Sequence, residues 1–199
     1  MAINFMGVFD LALIIQLFIL INPLSSFPVL LAAHKNKINV RKVAVNAVFI
    51  AFIIAIIVLI IGPYLFSLFR ITVDSFRIAG GIVLLLLGID KVRPKENDRK
   101  DVKEADALTS IIATPLLTGP AIISFIILQA IDIGKIPLFF NLLFAFIAVG
   151  IVFVMFAFTI SRINAKIIDI TSRVFGLFLT AVAIQMIAKG IMGVMAGVG

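Results

Sequence analysis

The sequence predicts an all-α membrane protein of six transmembrane helices. They form two inverted three-helix repeats, with the first and fourth helices broken at paired prolines. Three observations carry this expectation. Of 199 residues, 63% are hydrophobic, against ~45–50% in a soluble domain, and no water-facing fold absorbs that surplus. The apolar residues fall into six charge-free runs. The stretch NPLSSFPVL at 22–30 returns as TPLLTGPAI at 114–122.

The first run, Leu11 to Ala33, lies between Asp10 and His34. Its length suits one crossing, since a span takes about 20 apolar residues, and a helix is predicted over 6–33. The opening MAINFMGVFD has no Lys or Arg, so it lacks the basic start of a cleavable signal peptide and reads as part of a retained span. Yet Asn22, Ser25 and Ser26 are polar, and Pro23 and Pro28 each remove an amide donor. The second run, Val43–Phe69, predicts a helix over 41–69. The third, Ile78–Ile89, is short between charges and must continue past Arg77, giving 72–92. After the polar segment 93–106, the runs Ala107–Ile131 and Ile136–Ser161 predict helices over 107–131 and 136–161. The sixth run, Val174–Ala188, is again short and extends past Arg173 to 170–195. The chain thus reads as a first repeat (1–92), a cytoplasmic linker (93–106) and a second repeat (107–199) within one structural domain.

Thirteen of the seventeen Lys and Arg fall in the loops on one side of this scheme. By the positive-inside rule that side is cytoplasmic. The expectation is a multi-pass protein of the cytoplasmic membrane with both termini outside. The net charge of +7 then sets orientation and is no signal for nucleic acid. The chain has no cysteine and one histidine, His34, which excludes disulfides and multi-histidine metal sites. No cofactor or metal is expected. Neither a nucleotide-binding motif nor a His or Glu cluster within a span is present, so ATP drive and a membrane enzyme are both disfavoured.

The repeat extends beyond the prolines. Pro23 matches Pro115 and Pro28 matches Pro120; Asn46 and Phe49 match Asn141 and Phe144; SFRIAG at 75–80 matches TSRVFG at 171–176. Three spans per half is an odd number, so the second half enters the membrane from the opposite side. That is the plan of many secondary transporters, in which paired Gly/Pro-interrupted segments mark a midplane binding site. Irregular backbone at depth survives only inside protein or against a cavity. A half-helix beginning near Phe27 or Gly119 offers amide donors and a positive dipole end to a carboxylate. One ending near Asn22 or Thr114 offers carbonyls to an ammonium or cation. The candidate substrate residues are therefore Asn22, Pro23, Leu24, Ser25, Ser26 and Phe27, with Thr114, Leu116, Leu117, Thr118 and Gly119. Asn46 and Asn141 either bind substrate or tie helices together. Gln16, Gln129 and Gln185 are weaker candidates of the same kind. Arg77 with Asp74 and Arg173 with Asp169 are repeat equivalents at helical spacing. They read either as interfacial pairs or as a gate at each membrane face. Gly80, Gly81 and Gly176 read as close helix packing.

NPLSSFP, RIAGG and TPLLTGP, in this order over six spans with a polar central loop, resemble the MarC family of bacterial and archaeal membrane proteins. The resemblance covers essentially the whole chain. It implies kinship with the LysE-type transporter group and transport of small neutral amino acids such as glycine and alanine. The residues themselves leave the coupling ion open between H+ and Na+: all ten acidic residues lie at span ends or in loops, and freed carbonyls at a helix break could hold sodium. The second motif departs from the first, with Leu117 for Ser25 and Gly119 for Phe27, so the halves contribute unequally. The alternatives are a carrier of another small solute or drug, or a non-transporting membrane scaffold. A compact polar pocket favours glycine or alanine, and a cleft of aromatics favours a drug. The sequence leaves the oligomeric state open.

Overall fold

A computed structural model describes residues 9–93, 119–159 and 165–197. These residues form seven α-helices: α1 (Leu11–Ile21), α2 (Phe27–Lys35), α3 (Val40–Phe69), α4 (Val73–Val92), α5 (Pro120–Asp132), α6 (Lys135–Thr159) and α7 (Ala165–Gly197). Among the described residues, three segments are long and apolar enough to cross a membrane: Val40–Phe66, Lys135–Thr159 and Ile167–Gly197. In α4, Asp74, Arg77, Asp90 and Lys91 interrupt the apolar sequence within twenty residues.

The helix expected over 6–33 is not continuous. Asp10 caps its start, accepting from the Ala12 and Leu13 amides at 2.9 and 3.1 Å. The helix stops at Ile21, where Asn22 turns left-handed at φ 47°, ψ 67°. A 3-10 turn over Pro23–Ser26 follows and leads into α2. Asn is one of the few residues that visit this conformation at low cost. α3, α4 and α6 begin within a residue of expectation. α7 begins five residues early, because Asp169 and Arg173 pair on one helical face at 2.8 Å and the charges continue the helix. Of the fourth expected span only α5 is described, and 107–118 lie outside the described residues.

α1 and α5 occupy the centre. α5 buries Ile122, Phe125, Ile126, Ile127 and Leu128, and α1 buries Leu13, Leu17 and Leu20. α3 turns a small-residue stripe inward, Ala44, Ala51 and Ala55. α6 fills against it with Leu142, Ala145, Phe146, Val149 and Phe153. The outer faces are as apolar as the interior: Ile53, Ile57 and Ile60 on α3, Ile147, Ile151 and Met155 on α6, and Ile170, Leu177, Ile184 and Ile191 on α7 are all exposed. Such a surface suits lipid. In lipid, helix association rests on close packing and hydrogen bonds more than on apolar burial, because lipid tails are as apolar as leucine.

α4 and α7 make the closest pairing, and it is antiparallel. Asp74 lies against Gly193, Gly81 against Ile187, Gly88 against Thr180 and Lys91 against Gly176. A Cβ on Gly88 would fall 2.9 Å from the Thr180 amide nitrogen and 3.0 Å from the Gly176 carbonyl. One on Gly176 would fall 3.0 Å from the Gly88 carbonyl. The two backbones meet where neither carries a side chain. α3 and α6 also run antiparallel. Phe52 packs on Phe146 with ring centroids 5.4 Å apart. Arg41 lies over the Phe158 ring at 4.2 Å, and at the other end Lys135 lies over the Tyr64 ring at 4.3 Å. Each cation opens one long helix and each ring closes the other. Lys135 Nζ also donates to the Ile60 carbonyl at 3.0 Å, close to Pro63, which interrupts the hydrogen-bond ladder of α3.

Candidate polar cavity and broken helix

The interrupted segment is packed tightly. Asn22 is 4% and Ser26 2% exposed, and Pro23, Phe27 and Leu30 are buried beside them. The Phe27 ring meets Phe156 of α6 edge-on at 5.6 Å. The Phe27 amide, expected to be open toward a ligand, donates to the Leu24 carbonyl, because the 3-10 turn runs directly into α2. Leu24 is half-buried. Thr114, Leu116, Leu117 and Thr118 lie outside the described residues. Gly119 is exposed at the N-cap of α5; it gives no side-chain cap and precedes Pro120, which has no amide hydrogen.

The two asparagines part company. Asn141 is 1% exposed. Its Oδ1 accepts from the Asp10 amide at 2.9 Å and its Nδ2 donates to the Pro137 carbonyl at 2.9 Å. It ties the start of α1 to α6. Asn46 is exposed on α3, because the inward stripe of Ala44, Ala51 and Ala55 turns that position outward. Asn141→Leu is expected to lower stability by about 1–3 kcal/mol, since it leaves the Asp10 amide without its acceptor. Thermal unfolding in detergent reads the loss, and solute binding should not change.

The polar groups gather elsewhere. A cavity of about 130 Å³ lies among α1, α4, α5 and α7, lined by Gln16, Arg77, Gln129, Asp132, Gln185 and Lys189 with Phe125, Leu128, Val182 and Met186. Arg77 Nη1 donates to Asp74 at 2.9 Å within α4, and Nη2 donates to Asp132 of α5. The expected Arg77–Asp74 pair is thus one arm of a three-residue bridge between the halves. Its repeat equivalent differs: among the described residues, the Arg173 ion pair is with Asp169 of its own helix. A second, mostly apolar cavity of about 390 Å³ runs between α1 and α7 and shares Gln16, Val182 and Gln185 with the first. At 1.5 Å per residue, Gln16 stands ~9 Å along the helix from Asn22.

Sequence reasoning ranked the three glutamines low and singled out neither Asp132 nor Lys189. A signal was present. Phe125, Leu128, Gln129 and Asp132 recur at the spacing of one helical face, as do Val182, Gln185, Met186 and Lys189. Two such faces, each closing on a charge, mark the walls of one cavity.

Residues 8–195 match the model of the MarC family integral membrane proteins. The chain belongs to the MarC family. This MarC protein is 33% identical over 193 residues to the UPF0056 membrane protein MJ1677 of Methanocaldococcus jannaschii, covering 89% of this chain and 93% of that one. It is 31% identical over 203 residues to the UPF0056 membrane protein YhcE of Escherichia coli, covering 92% of each. No solved structure matches it significantly. Family membership and the apolar helices make it an integral membrane protein.

Proposed function

We propose that this MarC protein is a secondary transporter of small neutral amino acids of the glycine and alanine class. Its two halves act as an inverted repeat that exposes one site to either side of the cytoplasmic membrane in turn. The observation that carries the reading is the matched antiparallel pairing of corresponding helices. The third helix of one half lies against the third of the other, with glycines at the crossing. The second helices pair likewise, with a cation–ring clasp at each end, Arg41–Phe158 and Lys135–Tyr64. The first helix of each half packs on the second helix of the other. Halves related in this way can exchange conformations, and that exchange is alternating access.

In this scheme the substrate is held at the breaks, by Asn22 to Phe27 on one side and Thr114 to Gly119 on the other. Arg77 with Asp74, and Arg173 with Asp169, act at opposite faces as gates. The polar lining of the cavity beside Arg77 supports a small hydrophilic cargo over a drug. The test is uptake of labelled glycine or alanine into proteoliposomes, with proton and sodium gradients imposed separately. Accumulation driven by one gradient is expected. Folded protein that takes up neither amino acid under either gradient overturns the reading.

A further inference from the structure

We propose that the cavity beside the Arg77–Asp132 bridge is a recognition site for zwitterions, which bind by taking over the two charges of that bridge. The inference rests on the transport reading above and deepens it. Arg77 divides its guanidinium: Nη1 holds Asp74 at 2.9 Å and Nη2 holds Asp132. A ligand carboxylate accepts from Nη2 while Asp74 keeps Nη1, so the arginine stays anchored. The ligand ammonium then donates to the Asp132 carboxylate that Nη2 has released. Gln16, Gln129 and Gln185 surround the pair with amides that donate or accept, and Lys189 adds a second cation to the lining.

The bridge itself supplies the selectivity. Its side chains are 20% and 35% exposed, so separating them without replacement leaves two partly desolvated charges. A simple carboxylate satisfies Arg77 and strands Asp132. A simple amine satisfies Asp132 and strands the Nη2 side of Arg77. A molecule carrying both charges satisfies both. The small volume of about 130 Å³ favours a ligand of few heavy atoms.

The test is binding of labelled alanine to the purified full-length protein, with alanine, propionate and ethylamine as competitors. In the wild type, propionate and ethylamine should each compete about tenfold more weakly than alanine, because each strands one partly desolvated charge. Asp132→Asn should weaken alanine about tenfold and remove the discrimination against propionate. Arg77→Gln should remove the discrimination against ethylamine. The double variant Arg77→Gln, Asp132→Asn carries no stranded charge, so it tests the idea even if a single variant fails to fold; it should lose preference for the zwitterion over both analogues. Folded variants that keep the wild-type order of competitors overturn the proposal while alanine transport stands. Wild-type protein that binds no small amino acid overturns the transport reading and this inference together.

Discussion

Gly88→Val should separate α4 from α7 and destabilise the folded protein by on the order of 3 kcal/mol, the cost of overpacking a close contact. The obstacle is backbone. The added Cβ would meet the Thr180 amide nitrogen at 2.9 Å and the Gly176 carbonyl oxygen at 3.0 Å, and neither can rotate away. Lipid cannot compensate, since an apolar helix released into lipid loses packing and little else. The measurement is the detergent melting temperature beside that of Gly150→Val. At Gly150 the nearest atom to an added Cβ is a Val48 methyl at 3.7 Å, and a much smaller change is expected. Equal losses in the two variants would show that the α4–α7 crossing has no special weight.

The second large effect belongs to Asn22, where conformation and chemistry can be separated. Asn22→Val places a branched side chain at φ 47°. The left-handed region costs an ordinary residue about 1–2 kcal/mol, and a β-branched one more. Asn22→Gly accepts that backbone freely and removes only the amide. The valine variant should therefore lose stability and transport together. The glycine variant should stay folded and lose most of its amino-acid uptake, with Thr114→Ala giving a similar loss from the other half. Wild-type uptake rates in folded Asn22→Gly and Thr114→Ala would remove the helix breaks from the site.

These two residues also separate what could be read early from what could not. Asn22 was legible because two prolines and an asparagine in a charge-free run conflict with a continuous helix, whatever surrounds them. Gly88 was not singled out. Its importance comes from Gly176 and Thr180 on a helix roughly ninety residues later, and only the register of α4 on α7 brings them together. Asn46 and Asn141 carry the same lesson. They match in the sequence, yet one faces outward and the other ties α1 to α6, because side-chain direction depends on which stripe of each helix its neighbours cover.

The sequence by itself determined membrane residence, the long helices and the interruption after Ile21. Each follows from local composition: the apolar surplus, the length of a charge-free run, and the missing amide of proline. The tertiary structure decided which polar side chains meet. Arg77, Asp132 and the three glutamines stand on four helices, and their charges and amides share one small cavity only through the antiparallel seating of α4 on α7 around the central α1 and α5. That seating depends on backbone contact at glycines and on interhelical hydrogen bonds, which in lipid take the place that apolar burial holds in water.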